Sequence, residues 1–168
     1  MQIAIISDIH DNIPNLTKVL DYCREKKIEK IICCGDLASM EMLDLLNDNF
    51  QGEIFFVFGN MDNDFLRGYP FENDRYKNTR IFKDFGEAEM DSVKVAFVHF
   101  PEVAKELCET GKYKFVFYGH THKPFEETIN NCKMLNPGNV AGDIFPPTFA
   151  IWNTETDKFE LRRIHNLK

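Results

Sequence analysis

The sequence predicts an α/β fold in which two β-sheets pack together with helices on their outer faces. Three observations carry this expectation. Residues 2–58 alternate short apolar runs with amphipathic helical segments in the order β-α-β-α-β, which requires a parallel sheet. Most of the second half pairs apolar runs across short turns, the pattern of antiparallel hairpins. Several runs also end in a polar cluster, and in open α/β sheets that edge is where ligands bind.

Taken in order, Gln2 to Ile6 is an isoleucine-rich run short enough for a buried strand. Asp11 or Asn12 then caps a helix with Pro14 in its first turn, and Leu16, Val19, Leu20 and Cys23 form its apolar face. Ile31 to Cys34 is the second strand, ending in Gly35-Asp36. A helix from Ser39 carries Met42, Leu43 and Leu46 on one side. Glu53 to Phe58 is the third strand, followed by Gly59-Asn60-Met61-Asp62. Asn63 to Asp84 lacks periodicity and reads as a loop with one short helix.

Glu87–Met90 and Val93–Val98 form a hairpin turned at Asp91-Ser92, and His99 follows it. Pro101 opens an amphipathic helix that Gly111 stops. Phe115 to Tyr118 leads into Gly119-His120-Thr121-His122. Phe125–Ile129 with Cys132–Leu135, and Phe149–Trp152 with Phe159–Ile164, complete two further hairpins. The second half therefore reads as mainly antiparallel. At 168 residues, with no repeat or linker, the chain is expected to be one domain over 1–168.

A net charge of −7 with no long like-charge run argues against long nucleic acid or an anionic membrane as partner. A small anionic substrate stays compatible, because bound divalent ions invert a local field. The five cysteines are odd in number and contain no Cys-x-x-Cys, so reduced thiols are expected rather than a disulfide framework or zinc knuckle. The first apolar run starts at Gln2, which leaves no room for a signal peptide, and no run approaches a membrane span. A cytoplasmic protein is the expectation. Sixteen phenylalanines imply an aromatic-rich core, some of which could serve a homo-oligomer contact.

Seven candidate ligands fall at strand ends: Asp8, His10, Asp36, Asn60, His99, His120 and His122. Carboxylate, imidazole and amide oxygen suit divalent manganese, iron, cobalt, nickel or zinc. Seven exceed the three or four protein ligands of one zinc site. They match two ions sharing a carboxylate, a recurrent device for phosphoryl chemistry.

The ordered set Asp8-x-His10, Gly35-Asp36, Gly59-Asn60-x-Asp62, His99 and Gly119-His120-Thr121-His122, with Asn136-Pro137-Gly138 after it, resembles the calcineurin-like metallophosphoesterase superfamily. The short chain is similar to its small prokaryotic phosphodiesterase branch. The resemblance implies a four-layer α/β/β/α sandwich of two mixed β-sheets flanked by helices. It also implies two divalent ions per chain, with manganese the first choice and nickel, cobalt, iron, zinc or magnesium as alternatives. One ion would be held by Asp8, His10, Asp36 and His122, the other by Asp36, Asn60, His99 and His120, with Asp36 bridging. A bridging hydroxide would attack the phosphorus of a small phosphodiester in line with the leaving oxygen. Asp36, Asn60 and His99 would be the catalytic core of this hydrolase.

Two main departures from the family pattern, and one smaller one, stand out. Met61 replaces a histidine that contacts phosphate or protonates the leaving group, though the small phosphodiesterase branch often lacks it. Phe100 follows His99 where glycine is common, and Asn139 stands where serine is frequent. The resemblance extends to a retromer subunit that serves as a scaffold, so a phosphoesterase-fold binding scaffold and a phosphomonoesterase are the alternatives. Asp62 is expected to orient its loop rather than ligate. Cys33 and Cys34 are expected in a buried strand, and His165 at the surface. Phe65, Tyr69 and Phe71 are core by default, with a substrate or dimer contact as the other reading.

Overall fold

The structure, a computed structural model, describes residues 1–62 and 74–167. Its first sheet runs β11-β10-β1-β2-β3-β4 and its second β5-β6-β7-β9-β8. In the first, β1 (Gln2–Ile6), β2 (Lys30–Cys33), β3 (Glu53–Val57) and β4 (Thr79–Phe82) are parallel, the first three joined by two helical crossovers. The hairpin β10 (Thr148–Asn153) and β11 (Lys158–Arg163) joins β1 antiparallel, through Ile5 opposite Ala150. The expected mixed sheet is present.

The second sheet corrects the expectation of a mainly antiparallel second half. Its hairpins are as read: β5 (Phe85–Met90) with β6 (Val93–Val98), and β8 (Phe125–Ile129) with β9 (Cys132–Asn136). Its centre is parallel, β6 to β7 (Phe115–Phe117) to β9. Helix α3 (Pro101–Glu109) makes the β6-to-β7 connection a crossover, and a crossover delivers a parallel strand. A second correction is β4. It falls inside the stretch read as a loop, after a 3₁₀ turn at Asp74–Tyr76. Phe65, Tyr69 and Phe71 lie outside the described residues.

Three apolar clusters separate four layers. Helices α1 (Ile13–Glu25) and α2 (Met40–Asn49) press Leu16, Val19, Leu20, Leu43 and Leu46 onto Ala4, Ile6, Ile31 and Phe56 of the first sheet. Between the sheets lie Ile3, Ile5, Ile32, Phe55, Phe97, Phe115, Phe117 and Trp152. Alternate residues of β1 and β2 thus enter opposite cores, which is why these strands read as continuous apolar runs. Helix α3 covers the outer face of the second sheet with Ala104 and Cys108 on Val116 and Met134. Asn12 caps α1 by accepting a hydrogen bond from the Asn15 amide at 3.0 Å, and Ser39 caps α2. Phe100 takes the N-cap position of α3 and offers no side-chain cap. Relative to a polar residue there, that costs about 1 kcal/mol.

Cys108 and Cys132 form a disulfide across a Cα separation of 5.3 Å, contrary to the expectation of thiols throughout. The pairing arises because α3 lies over β9, a tertiary contact that cysteine spacing does not encode. Cys23, Cys33 and Cys34 are free and buried, and burial raises all three thiol pKa values. Among the described residues no helix is long and apolar enough to cross a membrane.

Candidate metal centre

The carboxyl ends of β1, β2, β3, β6 and β7 converge on one edge shared by both sheets. Asp8 and His10 follow β1, Asp36 follows β2, Asn60 follows β3, His99 follows β6, and His120 and His122 follow β7. The loops are tied together by their own backbone. The Asp8 and Ile9 amides donate to the carbonyls of Gly35 and Asp36 at 3.0 and 2.8 Å, and the Gly119 amide donates to the His99 carbonyl at 3.1 Å. Five of the seven expected ligands hold positive φ: Asp8 (54°), His10 (44°), Asp36 (57°), His120 (69°) and His122 (58°). Left-handed backbone is unfavourable for residues with a Cβ and concentrates at functional sites. It turns each side chain back over the strand end.

Two donor sets result. In the first, His10 Nε2 lies 3.2 Å from His122 Nε2, 3.9 Å from Asp8 Oδ1 and 3.6 Å from Asp36 Oδ2. His122 Nε2 is 3.4 Å from Asp8 Oδ1. In the second, His99 Nε2 lies 3.0 Å from Asn60 Oδ1, 3.3 Å from His120 Nδ1 and 3.3 Å from Asp36 Oδ2. Asp36 Oδ2 therefore borders both sets, and the seven residues lie together at this edge.

These donors fit divalent cations. His99 Nδ1 donates to the Cys34 carbonyl at 2.8 Å, so in the neutral ring Nε2 is an acceptor facing a second acceptor, Asn60 Oδ1. The contact is satisfied by a proton on His99 or by a cation between the two. His122 Nδ1 is buried without a partner among the described residues, while its Nε2 faces Asp8. Asp8, His10 and His122, and likewise Asp8, Asp36 and His99, bring one ligand atom each within 4.8 Å of one another.

The electrostatics agree. Burial opposes ionisation of Asp8, yet the nearby His10 and His122 imidazoles and the charge of His99 hold its carboxyl well below the usual range. The nearby Asp8 carboxylate raises the His10 imidazole against burial, with Asp36 and Asp143 adding to it. Burial lowers His99, but the Asp36 carboxylate outweighs it and the net direction is up. A concentration of negative charge that draws protons onto imidazoles also draws metal cations.

A layer of hydrogen bonds orients the donors. Asp62 is fully buried and accepts from the amides of Asp36, Gly59 and Ala38 at 2.7, 2.8 and 3.0 Å. It clasps the loops after β2 and β3, the orienting role expected of it, although burial raises its pKa. The Met61 amide donates to Asp36 Oδ1 at 2.9 Å, leaving Oδ2 for the donor sets. Gly59 lies so close that a Cβ there would strike the Asp36 carboxylate; one on Gly119 would strike Ser7 and Asp8.

Asn136 donates to the Gly119 carbonyl at 2.8 Å, and Asn139 to the His122 carbonyl at 3.0 Å, so the loop after β9 braces the histidine turn. Asn12 and Asn15 donate to the Ala141 and Val140 carbonyls, both at 2.8 Å. Sequence reasoning gave Asn12 only a capping role, and the spare amide donors of a capping asparagine were the available signal. His165 is exposed, as expected.

Comparison with known proteins agrees with this geometry. The sequence model of the calcineurin-like phosphoesterase superfamily domain matches residues 1–157. A phosphodiesterase of Methanocaldococcus jannaschii is 30% identical over 162 residues, 95% of this chain and 96% of that protein. A solved archaeal phosphodiesterase superposes with a TM-score of 0.86 at 29% identity, covering 97% of this chain and 99% of its own. Vacuolar protein sorting 29 of Cryptosporidium parvum shares the fold at a TM-score of 0.69 and 18% identity, over 96% and 95% of the two chains. The family is one of metallophosphoesterases, which use divalent metal ions, and the residues at this sheet edge suit such ions. By the match over most of its length, this chain belongs to the calcineurin-like phosphoesterase superfamily.

Proposed function

We propose that the protein hydrolyses small phosphodiesters with two divalent ions. One would be held by Asp8, His10, Asp36 and His122, and the other by Asp36, Asn60, His99 and His120. The observation that carries this reading is the position of Asp36 Oδ2, 3.6 Å from His10 Nε2 and 3.3 Å from His99 Nε2. One carboxylate oxygen within reach of both donor sets is what a bridged pair needs. Bound ions would neutralise charge on the phosphoryl oxygens and ionise the attacking water.

The chain's own residues decide the rest. The Met61 amide fixes the Asp36 rotamer. The Cys34 carbonyl fixes the His99 tautomer, so that Nε2 faces the substrate edge. Asn60 contributes a neutral oxygen, which keeps the net charge of the second set low enough to admit an anionic ester. The Met61 side chain has no proton to give, so alcohols of low pKa should leave fastest.

The relatives support a diester as substrate, since both comparisons return an archaeal phosphodiesterase over nearly the whole chain. A scaffold role or a phosphomonoesterase are the competing readings. Manganese-loaded protein should hydrolyse an activated aryl phosphodiester faster than the matching monoester, and a chelator should stop both. Metal-replete protein that turns over neither would refute the enzyme reading and favour the scaffold. We further propose manganese as the preferred ion, residues 1–168 as one domain, and the cytoplasm as location.

A further inference from the structure

Among the described residues seven large apolar side chains are exposed, and two of these, Met61 at 49% and Phe100 at 37%, lie beside the candidate metal centre. Each directly follows a ligand of the second donor set, Asn60 and His99. The Phe100 ring is fixed in place: its centroid lies 5.0 Å from that of His99 and 5.0 Å from that of His120. The Met61 backbone is held by its amide on Asp36 Oδ1 at 2.9 Å. Phe100 also occupies a helix N-cap, where a polar side chain would stabilise α3, and caps nothing. An aromatic ring kept partly in water, at the cost of a cap and against two ligand imidazoles, breaks local rules in the way functional positions do.

We infer that Phe100 is a stacking platform for a planar ring of the substrate, with Met61 as an adaptable apolar neighbour. The substrate class would then be phosphodiesters in which one esterified group is a nucleoside or another flat aromatic alcohol. This inference rests on the diester reading above. Aromatic rings offer a face that any nucleobase can stack on, and thioethers adapt to ring edges. Because two imidazoles already hold the ring, stacking orders little that is not already ordered.

The test compares two diesters with the same leaving group, thymidine 5′-(p-nitrophenyl phosphate) and methyl p-nitrophenyl phosphate, on manganese-loaded protein. The wild-type protein should favour the nucleoside ester by about tenfold in kcat/KM, within the range for one base stacked on one ring. The preference should lie in KM, collapse to near unity in Phe100→Ala, and return in Phe100→Trp. An unchanged ratio in Phe100→Ala, or an equal fall for both esters, would overturn the platform; the second result would make Phe100 a brace for the histidines. A readout independent of turnover is saturation-transfer NMR on zinc-loaded protein with thymidine 5′-monophosphate. Saturation should reach the base protons in the wild-type protein and be lost in Phe100→Ala; none at the base in the wild-type protein overturns the inference. Stacking without hydrolysis of either ester would leave the platform standing and refute the diester reading. Equal hydrolysis of both esters would do the reverse.

Discussion

The two donor sets flanking Asp36 are built differently. His10 and His122 of the first keep side-chain exposures of 21% and 13%, and both sit on left-handed backbone. His122 Nδ1 has no partner among the described residues. In the second set His99 is fully buried, has negative-φ strand residues behind it, and is oriented by the Cys34 carbonyl. Asn60 sits in a loop that Asp62 clasps to the Asp36 loop. His120 of the second set is exposed and left-handed as well, so the contrast lies between the His10–His122 pair, held by backbone conformation, and His99 with Asn60, held by packing and hydrogen bonds. Under the proposed function the difference would separate metal capture from substrate contact: charge is concentrated on the Asp8 side, and exposed apolar side chains on the Asn60 side.

The largest effect should come from removing what both halves share. Asp36→Asn should lower kcat/KM by about a thousandfold or more, in line with losing a preorganised charge at a reacting centre. Elemental analysis should find it short of two metals per chain. Near-normal turnover under saturating metal would show that the halves do not depend on a shared carboxylate.

Asp62→Ala leaves three buried amides without their acceptor. Urea unfolding of the metal-free variant should show a loss on the order of 2–4 kcal/mol. A loss under about 0.5 kcal/mol would mean the second half is not held by this clasp, since that is the ordinary surface range.

Met61→His supplies a proton donor beside the second set only. Monoester turnover should rise about tenfold relative to diester turnover, below the usual full contribution of a general acid. An unchanged ratio would count against the role given to Met61.

The smallest effect sharpens the contrast in charge. In metal-free protein the carboxylates raise His10 and His99 above the ordinary 6.5. A histidine raised on folding adds stability that is complete below its unfolded pKa and is lost as pH rises through the folded one. Asp8, depressed on folding, works the other way and is lost only in strong acid. Metal displaces the imidazole protons. The rise in Tm given by manganese should therefore be larger at about pH 8 than at about pH 6; a smaller rise at the higher pH would contradict the shared negative centre.

Much of this was legible because the ligands punctuate apolar runs. Asp8, Asp36, Asn60 and His120 each come within three residues of a strand end that β-branched or aromatic residues announce. Two packed sheets with helices outside followed from the element order, and the family resemblance implied the four layers; strands such as Ile3-Ala4-Ile5-Ile6 are apolar on both faces because they face two cores. What escaped has equally physical reasons. Strand β4 is four residues, Thr79-Arg80-Ile81-Phe82, half-exposed at a sheet edge, so it carries neither alternation nor a full apolar run. The parallel centre of the second sheet depends on α3 acting as a crossover, which hairpin signals on either side conceal. The Cys108–Cys132 pairing and the asparagine braces at Asn12 and Asn15 are tertiary contacts between segments with no local signature.

The central claim is that one oxygen of Asp36 joins two ions. Crystals of the manganese-loaded protein, with anomalous scattering recorded at the manganese edge, test it most directly. Two peaks about 3.5–4 Å apart, the spacing of two-metal sites, should flank Asp36, one beside His10 and His122 and the other beside Asn60, His99 and His120. A single peak, or two peaks that Asp36 does not join, would contradict it.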